Sequence, residues 1–90
     1  MNTSANAIPT LSTGYRLQWE QVQDCHVLLY PEGMVQLNST AAAILQQIDG
    51  QRDLASIISA LESEFAQTDL GSDITEFIDT ARQRGWLNVR

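Results

Sequence analysis

The chain has 90 residues, of which eleven are acidic and five are arginine, and it contains no lysine. A domain of this size hides roughly 60 to 65% of its unfolded surface, which suffices for one modest core but not for a deep internal active site. A formal net charge of −6 argues against polyanionic partners, so we expect neither nucleic acid nor membrane to bind. The lone Cys25 excludes an internal disulfide, and the absence of an export signal predicts a cytoplasmic protein.

The first fourteen residues are mostly small and polar, and they show neither helical nor strand periodicity. They predict a flexible N-terminal arm over residues 1–14, followed by a folded domain over residues 15–90. That domain begins with Tyr15, Leu17 and Trp19, which alternate with polar residues. A period of two is typical of a half-buried strand.

A hairpin follows this first strand. Pro31 fixes φ at the first corner of a turn, and Gly33 tolerates a positive φ at its close. The turn predicts antiparallel pairing between residues 27–30 and residues 34–37. In a three-stranded meander the second of these segments lies at an edge, and no lysine, proline or inward charge in it discourages pairing with another chain.

Three amphipathic helices are predicted after the hairpin. Asn38 or Ser39 caps the first helix, which ends at Gly50. Asp53 caps the second helix, which runs to about Phe65.

A connector over residues 67–72 leads to the third helix. Asp73 and Glu76 have the spacing of a capping box at its start, and Gly85 stops it. Three strands followed by three helices predict an α+β fold in a winged-helix-like arrangement.

Catalytic signatures are missing from the sequence. No phosphate-binding glycine motif occurs, and Cys25 and His26 are adjacent, so they would point to opposite faces of a strand. With no other cysteine or histidine, a metal site has too few ligands. The carboxylates sit near helix starts or diverge, so no acid-base pair is indicated. The chain is predicted to be a binder without catalytic residues, metal or cofactor.

Residues 29–50 contain the short motifs PEG, LN, AA, IL and DG in sequence. In this order the motifs resemble those of the PqqD family, the peptide chaperones of pyrroloquinoline quinone biosynthesis. The resemblance extends upstream to Trp19 and downstream to the ending Arg84-Gly85-Trp86-Leu87. It also covers an apolar stripe formed by Leu54, Ile57, Ile58, Leu61 and Phe65.

This resemblance implies a function. A PqqD protein captures the precursor peptide PqqA and presents it to PqqE, the radical S-adenosylmethionine enzyme that joins a glutamate to a tyrosine in the peptide. In such leader-recognition domains the third strand accepts the leader as an added strand, and the last helix forms the other wall of the groove. The peptide-binding residues expected here are Met34, Val35, Gln36 and Leu37 on the strand, with Phe77, Ile78, Ala81 and Arg82 on the third helix.

Several alternatives stay open at this stage. The helical spacing of Phe77, Ile78 and Ala81 also fits plain core packing. The sequence does not fix which alternate residues of the edge strand direct their backbone N–H groups outward. The unprotected edge also allows a homodimer. The function could be leader binding for another ribosomally made peptide, or that of a winged-helix DNA-binding regulator. Acidic residues on the second and third helices argue against the regulator.

Overall fold

The computed structural model describes residues 3–90 and contains five strands and three helices in that part of the chain. In chain order the elements are β1 (Pro9–Leu11), β2 (Arg16–Glu20), β3 (Cys25–Tyr30), β4 (Gly33–Gln36), α1 (Ser39–Gln46), α2 (Leu54–Phe65), α3 (Gly71–Gln83) and β5 (Leu87–Val89).

Strands β2, β3 and β4 form an antiparallel meander with β3 in the centre. The register aligns Leu17 with Leu28 and Leu28 with Val35, so these three side chains share one face of the sheet. That face packs on the helices, and Leu28 is fully buried there. The predicted three-stranded antiparallel sheet followed by three helices is therefore confirmed.

The helices supply most of the single core beneath this sheet. Successive turns of α1, α2 and α3 contribute apolar residues to one contiguous cluster. Its buried helical members are Ala42, Ile44, Leu45, Leu54, Ile57, Leu61, Ile74, Ile78 and Ala81.

Side-chain caps set the starts of the first two helices. The Asn38 side chain accepts a hydrogen bond from the Ala41 backbone N–H at 2.8 Å, which decides between the two predicted caps of α1. The Asp53 side chain accepts the Ser56 N–H at 2.9 Å, as predicted for α2. That amide stabilises the carboxylate and so lowers the pKa of Asp53.

The third helix begins differently from the prediction. It starts at Gly71, two residues before Asp73, and its N-cap Leu70 makes no side-chain cap hydrogen bond. The predicted capping box of Asp73 and Glu76 is therefore wrong. Glu62 of α2 accepts the Leu70 N–H at 3.1 Å, and this long-range bond fixes the entry of the chain into α3.

The described part of the N-terminal segment packs on the domain. Strand β1 pairs antiparallel with β5 at the end of the chain. The carbonyls of Ala5 and Ala7 accept the N–H groups of Ala55 and Leu54 at 3.0 and 2.8 Å, so the segment supplies partners for the first amides of α2. Of the arm expected over residues 1–14, residues 1 and 2 lie outside the described part. The mobility of the segment and a boundary at residue 15 stay predictions.

Thr3 anchors this segment to α3. It is 6% exposed, and its N–H and hydroxyl both donate to Asp79 Oδ1, at 2.9 and 2.5 Å. Arg82 Nη1 donates to Thr3 Oγ1 at 3.1 Å. The hydroxyl therefore joins the segment to two charged side chains of one helix.

The Thr3 contacts generate a stability prediction. Thr3→Val keeps the shape of the side chain but removes the hydroxyl, so we expect it to lower the free energy of unfolding by about 1 kcal/mol. Urea denaturation followed by circular dichroism measures this loss. Thr13→Val, at an exposed position of the same segment, is the matched control and should unfold like the parent. Identical curves for the parent and Thr3→Val would show that the segment behaves as a free arm.

Candidate functional site

Strand β4 forms one edge of the three-stranded sheet, because β3 is its one neighbour in that sheet among the residues that the structure describes. The Leu37 N–H donates to the His26 carbonyl at 3.0 Å, immediately after β4. In an antiparallel ladder, hydrogen-bonded and non-hydrogen-bonded pairs alternate. Val35, opposite Leu28, is therefore bonded to β3, whereas the N–H and C=O groups of Met34 and Gln36 face outward.

The side chains of the edge divide between surface and core. Met34 is 46% exposed and Gln36 is exposed, whereas Val35 is half-buried and Leu37 is buried. Leu37 lies just beyond the end of β4, so the predicted strand ends one residue too late. The Gln36 side-chain amide donates to Gln23 Oε1.

The four residues predicted on α3 have three different surroundings. Ile78 and Ala81 are 0% and 1% exposed and belong to the core. Arg82 is bonded to Thr3 on the side of the helix that carries Asp79. Phe77 is half-buried and lines a groove. Because two of the four are buried and Arg82 is bonded to the N-terminal segment, the four do not form one exposed helix wall.

The groove has a volume of about 540 Å³ and lies between the start of α1, the end of α2 and the first half of α3. This volume is in the range of ligand pockets, which is roughly 300 to 1,000 Å³. Its lining residues are Asn38, Thr40, Ala41, Ile44, Leu61, Phe65, Gln67, Leu70, Asp73, Ile74 and Phe77.

Sequence reasoning assigned most of these lining residues to caps, connectors or core stripes. Phe65 carried the clearest sequence signal, because it is a large apolar residue at the predicted end of α2. The structure leaves it 42% exposed. Asp73 was assigned to a cap that does not form.

The groove and the sheet edge are adjacent. Asn38 lines the groove and stands two residues after Gln36, the last residue of β4. Two residues of extended chain span at most about 7 Å. The last residue of β4 therefore lies close to one end of the groove.

Other features of residues 3–90 bear on chemistry. No group of three His, Cys, Asp or Glu side chains in this part is placed to hold a metal ion. His26 packs edge-on against the Trp19 ring, with centroids 5.0 Å apart, and its Nε2 lies 3.3 Å from Gln46 Nε2. Backbone N–H donors from Arg52 and Gln51 lower the pKa of Asp49, which lies outside the groove lining. None of the described helices is long and apolar enough to cross a membrane.

Comparison with known proteins identifies the family. A family model described as Coenzyme PQQ synthesis protein D (PqqD) matches residues 25–87. The chain belongs to the PqqD family. The matched region runs from the start of β3 through α3 and includes both the β4 edge and the groove residues. The predicted family membership is thereby confirmed.

Relatives match over almost their whole length. The chain is 52% identical to the "PqqA binding protein" of Azotobacter vinelandii, over 97% of this chain and 96% of that protein. It is 48% identical to the "PqqA binding protein" of Klebsiella pneumoniae strain 342, over 93% and 92% of the two chains.

Solved PqqD structures share the fold. The solution structure of the PqqD truncation of Methylobacterium extorquens PqqCD superposes with a TM-score of 0.80 at 28% identity, covering 96% of this chain and 94% of that one. That protein is described as a functional, stand-alone recognition element for ribosomally synthesised and post-translationally modified peptides. The crystal structure of PqqD from Xanthomonas campestris gives a TM-score of 0.53 at 35% identity, covering 90% and 92%.

The alternation of bonded and outward-facing residues along β4 generates a folding prediction. Val35→Pro removes an N–H that bonds to β3, so we expect loss of a cooperative thermal transition. Gln36→Pro removes an N–H that faces outward, so we expect it to remain folded. Gln36→Ala is the control for loss of the side-chain contact with Gln23. Thermal circular dichroism checks all three variants. Unfolding of Gln36→Pro to the same extent as Val35→Pro would contradict the assignment of an outward-facing N–H to Gln36.

Proposed function

We propose that this chain is a peptide chaperone that binds the precursor peptide PqqA and presents it to the radical S-adenosylmethionine enzyme PqqE. It contributes no catalytic group of its own to that reaction. Family membership and the name of the curated relatives support PqqA as the ligand. The observation that carries the proposal is the free edge of β4, whose last residue stands two positions before Asn38 of the apolar groove.

Binding occurs by strand addition. The two outward-facing residues, Met34 and Gln36, offer two N–H and two C=O groups to an extended peptide. Each hydrogen bond contributes about 0.5 to 1.5 kcal/mol net, and this energy does not depend on the peptide's side chains. Selectivity must therefore come from the side chains that flank the added strand.

The proposed site residues have distinct roles in this mode. Met34 and Phe77 contact the peptide side chains, because both have exposed apolar surface on the edge and the groove. Val35 and Leu37 hold the strand onto the core. Ile78, Ala81 and Arg82 support Phe77 from within α3 and from the N-terminal segment, without touching the peptide.

The same edge can pair with a second copy of the chain. A homodimer formed through β4 uses the outward groups of Met34 and Gln36, so it competes with the peptide. We therefore expect any such dimer to dissociate when PqqA is added.

Peptide binding tests the site directly. We expect labelled PqqA to bind the parent and Gln36→Ala with similar affinity, and to show no measurable binding to Gln36→Pro. Titration followed by fluorescence anisotropy measures this, and hydrogen exchange should slow at the Met34 and Gln36 amides of the parent. Undiminished binding to a folded Gln36→Pro would exclude strand addition at β4. Tighter binding of another leader peptide would favour the alternative ligand.

Delivery to the enzyme is tested separately. We expect the parent to increase the yield of cross-linked PqqA when PqqE and its reductant are present, and Gln36→Pro to leave the yield at the level without chaperone. Mass spectrometry of the peptide measures the product. The chain incubated with PqqA alone should leave the peptide mass unchanged, and a covalent change there would contradict the non-catalytic role.

A further inference from the structure

The groove beside β4 is apolar with an acidic rim. Of the described residues that line it, Asp73 is the only one with a charged side chain. A second hollow continues along α3 and is lined by Asp73, Glu76, Phe77 and Thr80. The acidic rim therefore extends from the groove by about one helical turn.

The positive charges of the chain make their contacts elsewhere. Each of the five arginines contacts a residue outside the groove lining: Arg16 contacts Gln18, Arg52 contacts Asp49, Arg82 contacts Thr3, Arg84 contacts the Trp86 ring and Arg90 contacts the Gly50 carbonyl. No arginine in residues 3–90 lines the groove. A net charge of −6 strengthens the negative potential there.

The spacing along α3 fits an extended peptide. Asp73 and Phe77 are four residues apart, so their Cβ atoms lie about 5 to 6 Å from each other on one helix face. In an extended strand, side chains two positions apart share a face and are separated by roughly 6.5 Å. One peptide face can thus meet Phe77 and Asp73 together.

From this match we infer that the groove selects a peptide segment with an apolar side chain and, two positions away, a lysine or arginine. The apolar side chain packs between Ile74 and Phe77, and the cation pairs with Asp73 at the rim. This inference rests on the proposed function, and it adds the class of leader sequence that the same site accepts.

Asp73 also has a structural role that the experiment must separate. It lies in the first turn of α3, where a carboxylate stabilises the helix dipole. Loss of that role lowers the stability of the protein with or without bound peptide. Loss of an ion pair instead weakens peptide binding in a salt-dependent way. Affinity and thermal stability must therefore be measured on the same variants.

The test uses the full chain and synthetic PqqA at two salt concentrations. We expect Asp73→Asn to weaken PqqA binding about two- to five-fold at low salt and less at high salt, as for a partly exposed ion pair. Asp24→Asn, an exposed carboxylate in the loop between β2 and β3, is the charge-matched control and should bind like the parent. Glu76→Gln should show a smaller loss in the same direction.

Charge exchange identifies the peptide partner. Each lysine and arginine of PqqA is replaced in turn by glutamate, and each peptide is tested against the parent and Asp73→Lys. We expect one position, two residues from an apolar residue, at which glutamate weakens binding to the parent and restores binding to Asp73→Lys.

The outcomes separate the two proposals. If the parent binds PqqA and Gln36→Pro does not, but Asp73→Asn binds like Asp24→Asn and no peptide exchange is rescued, the inference is overturned while the proposed function stands. If the parent does not bind PqqA, the proposed function fails and this inference fails with it. If Asp73→Asn melts well below the parent, the Glu76→Gln titration and the glutamate-substituted peptides tested against the parent decide the inference on folded protein, and it is overturned if none of these peptides binds the parent more weakly than PqqA.

Discussion

The hydrogen bond from the Leu37 N–H to the His26 carbonyl determines which backbone groups of β4 are free at the sheet edge. Strand pairing alternates with a period of two, so one ladder bond sets the direction of every backbone group along β4. With Leu37 and Val35 bonded inward, the free groups belong to Met34 and Gln36. The same alternation directs the Val35 and Leu37 side chains into the core. One pattern therefore both packs β4 on the core and leaves the backbone groups of alternate residues unpaired.

Local signals predicted the central architecture because each operates within a few residues. Pro31 and Gly33 mark the hairpin, and the Asn38 and Asp53 side chains cap helices that they precede directly. The start of α3 was mispredicted because a glutamate eight residues upstream fixes it. The β1–β5 pair was missed for a similar reason: each strand has three residues, too few to show a period, and the partners lie at opposite ends of the chain.

The candidate site was predictable where it depends on strand order and was not where it depends on helix rotation. An edge follows from a three-stranded meander, and the structure has one at β4. On α3, however, apolar spacing describes a stripe without saying which part of it meets solvent. Ile78 and Ala81 face the core, whereas Phe77, one residue before Ile78, reaches the groove. Packing against α2 and β5 sets that rotation, and no residue of α3 encodes it alone.

Domain size explains why backbone and rim together would form the recognition surface. A chain of 90 residues needs nearly all its large apolar side chains for one core, and here those of α1, α2, α3 and the inner sheet face are used in that way. Among the described residues, the exposed large apolar side chains are those of Trp19, Val22, Met34 and Phe65. Met34 lies on the unpaired edge of β4, whereas Phe65 and the half-buried Phe77 line the groove. In the proposed mode of binding, backbone groups accept any extended peptide, so discrimination falls to the few side chains at the groove. A charged rim suits a small domain, because it disfavours acidic peptide segments by repulsion without burying additional surface.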